Sequence, residues 1–91
     1  MLDQDPGIEP GDIRLTDVSL APGYGQLNDA TVQALQLTAQ CEGLFFDPVY
    51  TGKTMAGLFH LVQQQELSGN VLFWHTGGQP ALFGYRNRLL D

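Results

Sequence analysis

Two short, unbroken apolar runs, Leu44-Phe45-Phe46 and Val71-Leu72-Phe73-Trp74, constrain this chain more than any other feature. Continuous runs, as opposed to alternating ones, suit strands of a parallel sheet covered on both faces. Between them lies an amphipathic segment, about Gly52 to Leu67, in which Met55, Leu58, Phe59 and Val62 fall at i, i+3, i+4 and i+7 and predict one buried helical face. A strand, a helix of about four turns and a second strand form a βαβ unit with a right-handed crossover. The expected fold is α/β, a partial three-layer parallel sheet built from this unit and flanking helices. Such a sheet leaves edges without partners, so it reads as part of a larger one.

An earlier helix is expected from Asn28 or Asp29, either of which can cap it. It carries two apolar stripes, Val32, Leu35 and Ala39, then Ala34, Leu37 and Cys41, and Gly43 is placed to stop it in a left-handed conformation. Pro80 suits the first position of a short third helix through about Tyr85. Residues 1–12 are rich in Asp, Glu, Pro and Gly and read as a flexible lead-in, with residues 13–91 as the folded part. Ile13, Leu15, Val18 and Leu20 hint at one more short strand whose alternation slips in the middle.

Composition narrows the classes of function. Ten acidic against four basic residues give a net charge of −6, which repels nucleic-acid phosphates and anionic lipid, so neither is an expected partner. The single cysteine, Cys41, cannot form an internal disulfide and is expected to pack as a small hydrophobe, which fits a reducing cytoplasm. No secretory apolar segment opens the chain, and no run approaches the roughly 18 apolar residues of a membrane span. The expected protein is soluble and cytoplasmic. Ninety-one residues allow one small domain with a modest core.

The residues that could carry chemistry cluster at the ends of the predicted strands. Tyr50, in Asp47-Pro48-Val49-Tyr50-Thr51-Gly52-Lys53, falls where a strand gives way to a helix, the rim at which open α/β sheets bind ligands. It reads equally as a tyrosine at the edge of the core. Tyr24 lies between Gly23 and Gly25 in a tight turn and, by itself, reads better as a loop aromatic covering the core. Thr51 is expected to cap the helix through its hydroxyl, a contribution of about 1 kcal/mol. Thr76-Gly77-Gly78 is either an ordinary turn from strand to helix or a turn that offers the Thr76 hydroxyl to a ligand.

Lys53 attracts one reading that fails. Gly52-Lys53-Thr54 looks like the end of a phosphate-binding loop, but Asp47 stands where that motif needs a glycine. A cation in the first helical turn opposes the macrodipole by about 0.3–1 kcal/mol, so a carboxylate partner, Asp47, is expected for it. His60 reads as a boundary residue. No Cys or His spacing matches a metal site and no Ser-His-Asp arrangement has support, so no metal is expected.

Taken in order, Pro22-Gly23-Tyr24-Gly25, Asp47 to Lys53, His75-Thr76-Gly77-Gly78 and Pro80-Ala81-Leu82-Phe83 resemble the C-terminal part of the D-cysteine desulfhydrase and 1-aminocyclopropane-1-carboxylate deaminase family. These are fold-type II pyridoxal-phosphate enzymes, of the tryptophan-synthase-β type. The resemblance runs from roughly Ala21 to Tyr85 and departs at Gln26-Leu27, where the family usually has an aliphatic residue and a proline. It implies that residues 13–91 are the C-terminal part of a catalytic domain whose Schiff-base lysine lies elsewhere, so that the chain alone is inactive. It implies that Tyr50 and Tyr24 are catalytic phenols and that Thr76, Thr51 and Gly77 lie at the cofactor. Deaminase-like relatives have glutamate at the Thr51 position and leucine at the Thr76 position, so both threonines point to a desulfhydrase-like lyase. The implied reaction turns D-cysteine into pyruvate, ammonia and sulfide. The alternatives are a deaminase fragment or a non-catalytic α/β interaction module. A homodimer is implied for the full-length enzyme, and self-association is expected of the isolated chain.

Overall fold

Asn28 starts the first helix as its sequence position predicts. Its Oδ1 accepts hydrogen bonds from the Thr31 N–H at 2.8 Å and from the Thr31 hydroxyl at 2.7 Å, satisfying a donor that the helix itself leaves free. Helix α1 then runs Asp29–Glu42 and ends at Gly43, whose φ of 66° lets its N–H turn back to the Ala39 carbonyl. The computed structural model describes residues 5–90; residues 1–4 of the expected lead-in, and Asp91, lie outside the described residues.

The second helix, α2, spans Thr51–Gln63 and packs against α1. It stops before the expected Leu67 because Gln65 adopts a left-handed conformation, φ 60°, and the N–H groups of Gln65 and Glu66 close back on the Val62 and Leu61 carbonyls. After a long irregular stretch, a 3-10 helix, Gln79–Tyr85, leads into a short helix α3, Arg86–Leu90. Pro80 stands in the first turn of this segment, as expected. Leu82 and Leu89 bring it against the core. No helix among the described residues is long and apolar enough to cross a membrane.

The buried centre consists of Ala34, Leu35, Phe46, Met55 and Ala56, with Leu58, Phe59 and Phe73 packed beside them. On α1 the buried positions are Thr31, Ala34, Leu35 and Thr38, a single stripe that runs between the two expected ones. Thr38 can join it because its hydroxyl donates to the Ala34 carbonyl at 2.8 Å and leaves no unsatisfied polar atom. Leu37 and Cys41 are exposed, so Cys41 does not pack as a small hydrophobe.

The expected α/β architecture is overturned: the described residues hold helices and turns, with no strand and no sheet. A strand exists through its ladder, and here no ladder forms. The two apolar runs do meet, since the Phe46 and Phe73 rings lie 5.2 Å apart. The carbonyl of Phe45, which a ladder would need, instead accepts a hydrogen bond from His75 Nε2 at 3.0 Å. Nor are the runs covered on both faces. Phe46 is 1% exposed, whereas Leu72 is 87% and Trp74 78% exposed. Ile13, Leu15, Val18 and Leu20 also form no strand and are exposed. With so few layers the chain is extended, its radius of gyration of 15.1 Å exceeding the roughly 12 Å of a compact domain of this length.

Candidate functional site

Asp47 organises the entry to α2. It is 1% exposed, and its carboxylate accepts the N–H groups of Val49 (2.9 Å), Tyr50 (2.6 Å) and Thr51 (2.9 Å) together with the Thr51 hydroxyl (2.6 Å). Burial alone pushes the carboxyl group up; the four hydrogen bonds outweigh it, led by that of the Thr51 hydroxyl, and hold Asp47 below its ordinary value. A carboxylate at the start of a helix also meets the positive end of the macrodipole.

The consequence for Thr51 is a correction. It is the first residue of the helix, 2% exposed, and its hydroxyl donates to Asp47 Oδ1 and accepts the Asp47 N–H at 2.9 Å. The hydroxyl therefore does not cap the helix; Asp47 supplies the acceptors. Lys53 is a second correction. Its ammonium is not paired with Asp47 but donates to the Gly23 carbonyl at 2.7 Å, with the Leu20 carbonyl 3.4 Å away.

The turn that Asp47 ties down sets Tyr50 at the surface, 60% exposed, where it meets Tyr24, 79% exposed. The two phenol oxygens share a hydrogen bond of 2.7 Å, and the rings sit edge to face, 6.1 Å between centroids. The hydrogen bond to Tyr24 is the main reason that the Tyr50 phenol is held above its ordinary value, with the Asp47 carboxylate adding to it. Tyr50 thus keeps its proton at neutral pH, next to a second hydroxyl that shares a hydrogen bond with it. Residues 26 positions apart in the chain form one donor–acceptor pair open to solvent.

Two comparisons bear on what this pair is for. No family model matches the chain. The D-cysteine desulfhydrases of Salmonella newport (strain SL254) and Salmonella heidelberg (strain SL476) are each 54% identical to it over 76 residues, which take in 81% of this chain. The chain belongs to the D-cysteine desulfhydrase family. It spans 23% of the length of those relatives and matches their C-terminal part.

The Thr76-Gly77-Gly78 turn lies beside the Asp47 turn. Gly78, at φ 90°, sits so close that a Cβ there would come within 2.9 Å of the Asp47 carboxylate carbon. Thr76 is exposed, and a Cβ on Gly77 would touch only Gln79 Oε1, at 4.0 Å, so the outer side of this turn is open. His75 fixes the turn from within: Nε2 donates to the Phe45 carbonyl and Nδ1 accepts the Gly77 N–H at 3.0 Å. Those two bonds also define the neutral tautomer.

Of the site residues expected from sequence, the structure brings Tyr24 and Tyr50 into contact and leaves Thr76 and Gly77 on a neighbouring open turn. Thr51 lies beneath Tyr50, with its hydroxyl engaged by Asp47. Three contributors escaped sequence reasoning. Asp47 was visible as an acidic residue just ahead of a helix, whereas His75 and Tyr85 carry no local signal of their roles. Tyr85 donates to the Gly25 carbonyl at 2.6 Å across 60 positions of chain, a pairing that only folding reveals. Among the described residues no three His, Cys, Asp or Glu side chains gather where a metal ion could sit.

Proposed function

We propose that this chain supplies the phenol-bearing side of the active site of a pyridoxal-phosphate-dependent lyase that converts D-cysteine and water into pyruvate, ammonia and sulfide. The observation that carries the reading is the 2.7 Å contact between the Tyr24 and Tyr50 hydroxyls, two exposed phenols held together in a chain of the desulfhydrase family. The residues present suit the cofactor: Thr76 offers an exposed hydroxyl, and Gly77 leaves room above the turn for a planar ring. When bound, the cofactor withdraws electrons from the α-carbon of the amino acid.

This chain's residues then have distinct tasks. The Thr76 hydroxyl would hold the pyridine nitrogen of the ring by a hydrogen bond, and a neutral hydroxyl there would not supply it with a full positive charge. Tyr50 Oη gives its proton to the β-sulfur as the carbon–sulfur bond breaks, a role open to a phenol that carries its proton at neutral pH. Tyr24 Oη, hydrogen-bonded to Tyr50, keeps the proton on Tyr50 Oη and orients the phenol. Asp47 and Thr51 keep Tyr50 in place from below. The lysine that bears the cofactor and the groups that bind its phosphate belong to a part of the enzyme that this chain does not provide, so the chain alone is inactive. The family resemblance supports a homodimeric, cytoplasmic enzyme.

The test is turnover by a full-length enzyme carrying this segment. Tyr50→Phe should lower kcat for D-cysteine by about 100-fold or more, in keeping with loss of general acid catalysis, and leave cofactor binding intact. Turnover of 1-aminocyclopropane-1-carboxylate well above that of D-cysteine by the unmodified enzyme would refute the desulfhydrase assignment.

A further inference from the structure

Lys53 is the one lysine of the chain, it is 6% exposed, and the proposed elimination gives it no part. A buried ammonium is costly unless carbonyls or carboxylates receive its hydrogens. Here the acceptors belong to one turn, through Gly23 O at 2.7 Å and Leu20 O at 3.4 Å. That turn has no secondary structure of its own, and side chains from elsewhere hold its carbonyls. Asn28 Nδ2 donates to Ala21 O at 2.6 Å, and Tyr85 Oη donates to Gly25 O at 2.6 Å.

Tyr24 sits between the two gripped glycines. Lys53 holds the carbonyl of the residue before it, and Tyr85 that of the residue after it. Lys53 also follows Tyr50 by three positions, at the start of the same helix. One helical turn therefore presents the first phenol and grips the backbone that carries the second. The Lys53 stem spans the gap and its ammonium offers three donors, which no neutral side chain of similar length can match.

We propose that Lys53 is a positioning residue that sets Tyr24 Oη at hydrogen-bonding distance from Tyr50 Oη, with Tyr85 as its counterpart on the far side of the turn. The inference rests on the reading of the two phenols as the proton-handling part of the site, and it adds the residue that makes them a pair. Loss of Lys53 frees the Gly23 carbonyl, lets the turn move, and separates the phenols without touching either ring.

The chain labelled with 13C at the tyrosine ζ-carbon reports this by NMR through a pH titration of its three tyrosines, assigned with single Tyr→Phe variants. Tyr24→Phe defines the signature of a broken pair, a fall in the Tyr50 titration midpoint. Lys53→Met should lower the Tyr50 midpoint by as much as Tyr24→Phe does, and combining the two should add nothing. Lys53→Arg, which keeps a cation and its donors, should recover part of the difference, and Tyr85→Phe should shift Tyr50 in the same direction as Lys53→Met. A Lys53→Met chain with unchanged helix content and an unchanged Tyr50 midpoint overturns the proposal. So does a Tyr50 midpoint that is insensitive to Tyr24→Phe. Should Lys53→Met lose its helices, Tyr85→Phe decides, and an unmoved Tyr50 there is fatal. The titration needs neither cofactor nor substrate. If it succeeds while Tyr50→Phe leaves D-cysteine turnover unchanged, the proposed reaction fails and the positioning role of Lys53 stands.

Discussion

Asp47 and Thr51 hold each other by three hydrogen bonds, two of which run in opposite directions through one hydroxyl: that of Thr51 donates to Asp47 Oδ1 at 2.6 Å and accepts the Asp47 N–H at 2.9 Å. The pair closes a loop of five residues and leaves the other carboxylate oxygen to receive the N–H groups of Val49 and Tyr50. Removing the carboxylate should therefore cost more than a single cap. Asp47→Ala is expected to destabilise the fold by about 2 kcal/mol, and Asp47→Asn by about half of that, in urea unfolding.

The same bonds give a pH dependence with a definite sign. Because the folded state holds Asp47 below its ordinary value, its contribution is complete above the unfolded carboxyl value of about 3.9 and is lost as the pH falls through the folded one. Acid unfolding of the parent chain should begin below about pH 4. Asp47→Asn should remove a part of that acid sensitivity, seen as a flatter plot of stability against pH.

The two threonines should separate by readout. Thr51→Val deletes a buried hydroxyl with two partners and is expected to cost about 1–2 kcal/mol of stability. Thr76→Val alters an exposed side chain and should change stability by less than about 0.5 kcal/mol. In a full-length enzyme the order reverses: Thr76→Val should disturb the cofactor absorption and the elimination rate more than Thr51→Val. Stability must be measured alongside activity, because Thr51 lies next to Tyr50.

Gly78 and Gly84 should respond oppositely to a methyl group. At Gly78 the backbone has φ 90° and a Cβ would meet the Asp47 side chain at 2.9 Å, whereas at Gly84 a Cβ would meet nothing within 4 Å. Gly78→Ala is expected to destabilise by about 2 kcal/mol or more, and Gly84→Ala to be neutral or slightly stabilising. Thermal unfolding of the two variants checks the contrast.

Leu72, Trp74 and Phe83 are each more than three-quarters exposed, at 87%, 78% and 88%. Exposed apolar side chains in that number promote association. Sedimentation of the isolated chain should show a concentration-dependent increase in mass, and Leu72→Ser with Trp74→Ser should reduce it. A monomer at all concentrations would refute the expectation.

Most of the local chemistry was legible in the sequence. Asn28 and Gly43 bound α1 because capping depends on residues within a few positions of the helix end. Pro80 and the spacing of Met55, Leu58 and Phe59 also worked, whereas Val62, expected on the same buried face, is 49% exposed. The sheet failed where the argument needed a partner that the sequence cannot supply, since Leu44–Phe46 and Val71–Trp74 are apolar in composition but only Phe46 and Phe73 reach the core. The stripe on α1 failed differently. Hydrophobicity passed over Thr31 and Thr38, which bury because their hydroxyls find acceptors nearby.

The sequence by itself determined the two main helices, the caps of α1 and the family, because these depend on neighbours along the chain and on motifs such as Asp47 to Lys53. Only the tertiary structure decided which groups meet. Tyr24 and Tyr50, Lys53 and Gly23, and Tyr85 and Gly25 are separated by 26, 30 and 60 positions. Those contacts arise because packing α1 against α2 and folding the last turns back leave one irregular segment between them, whose carbonyls had to find donors wherever the fold placed them.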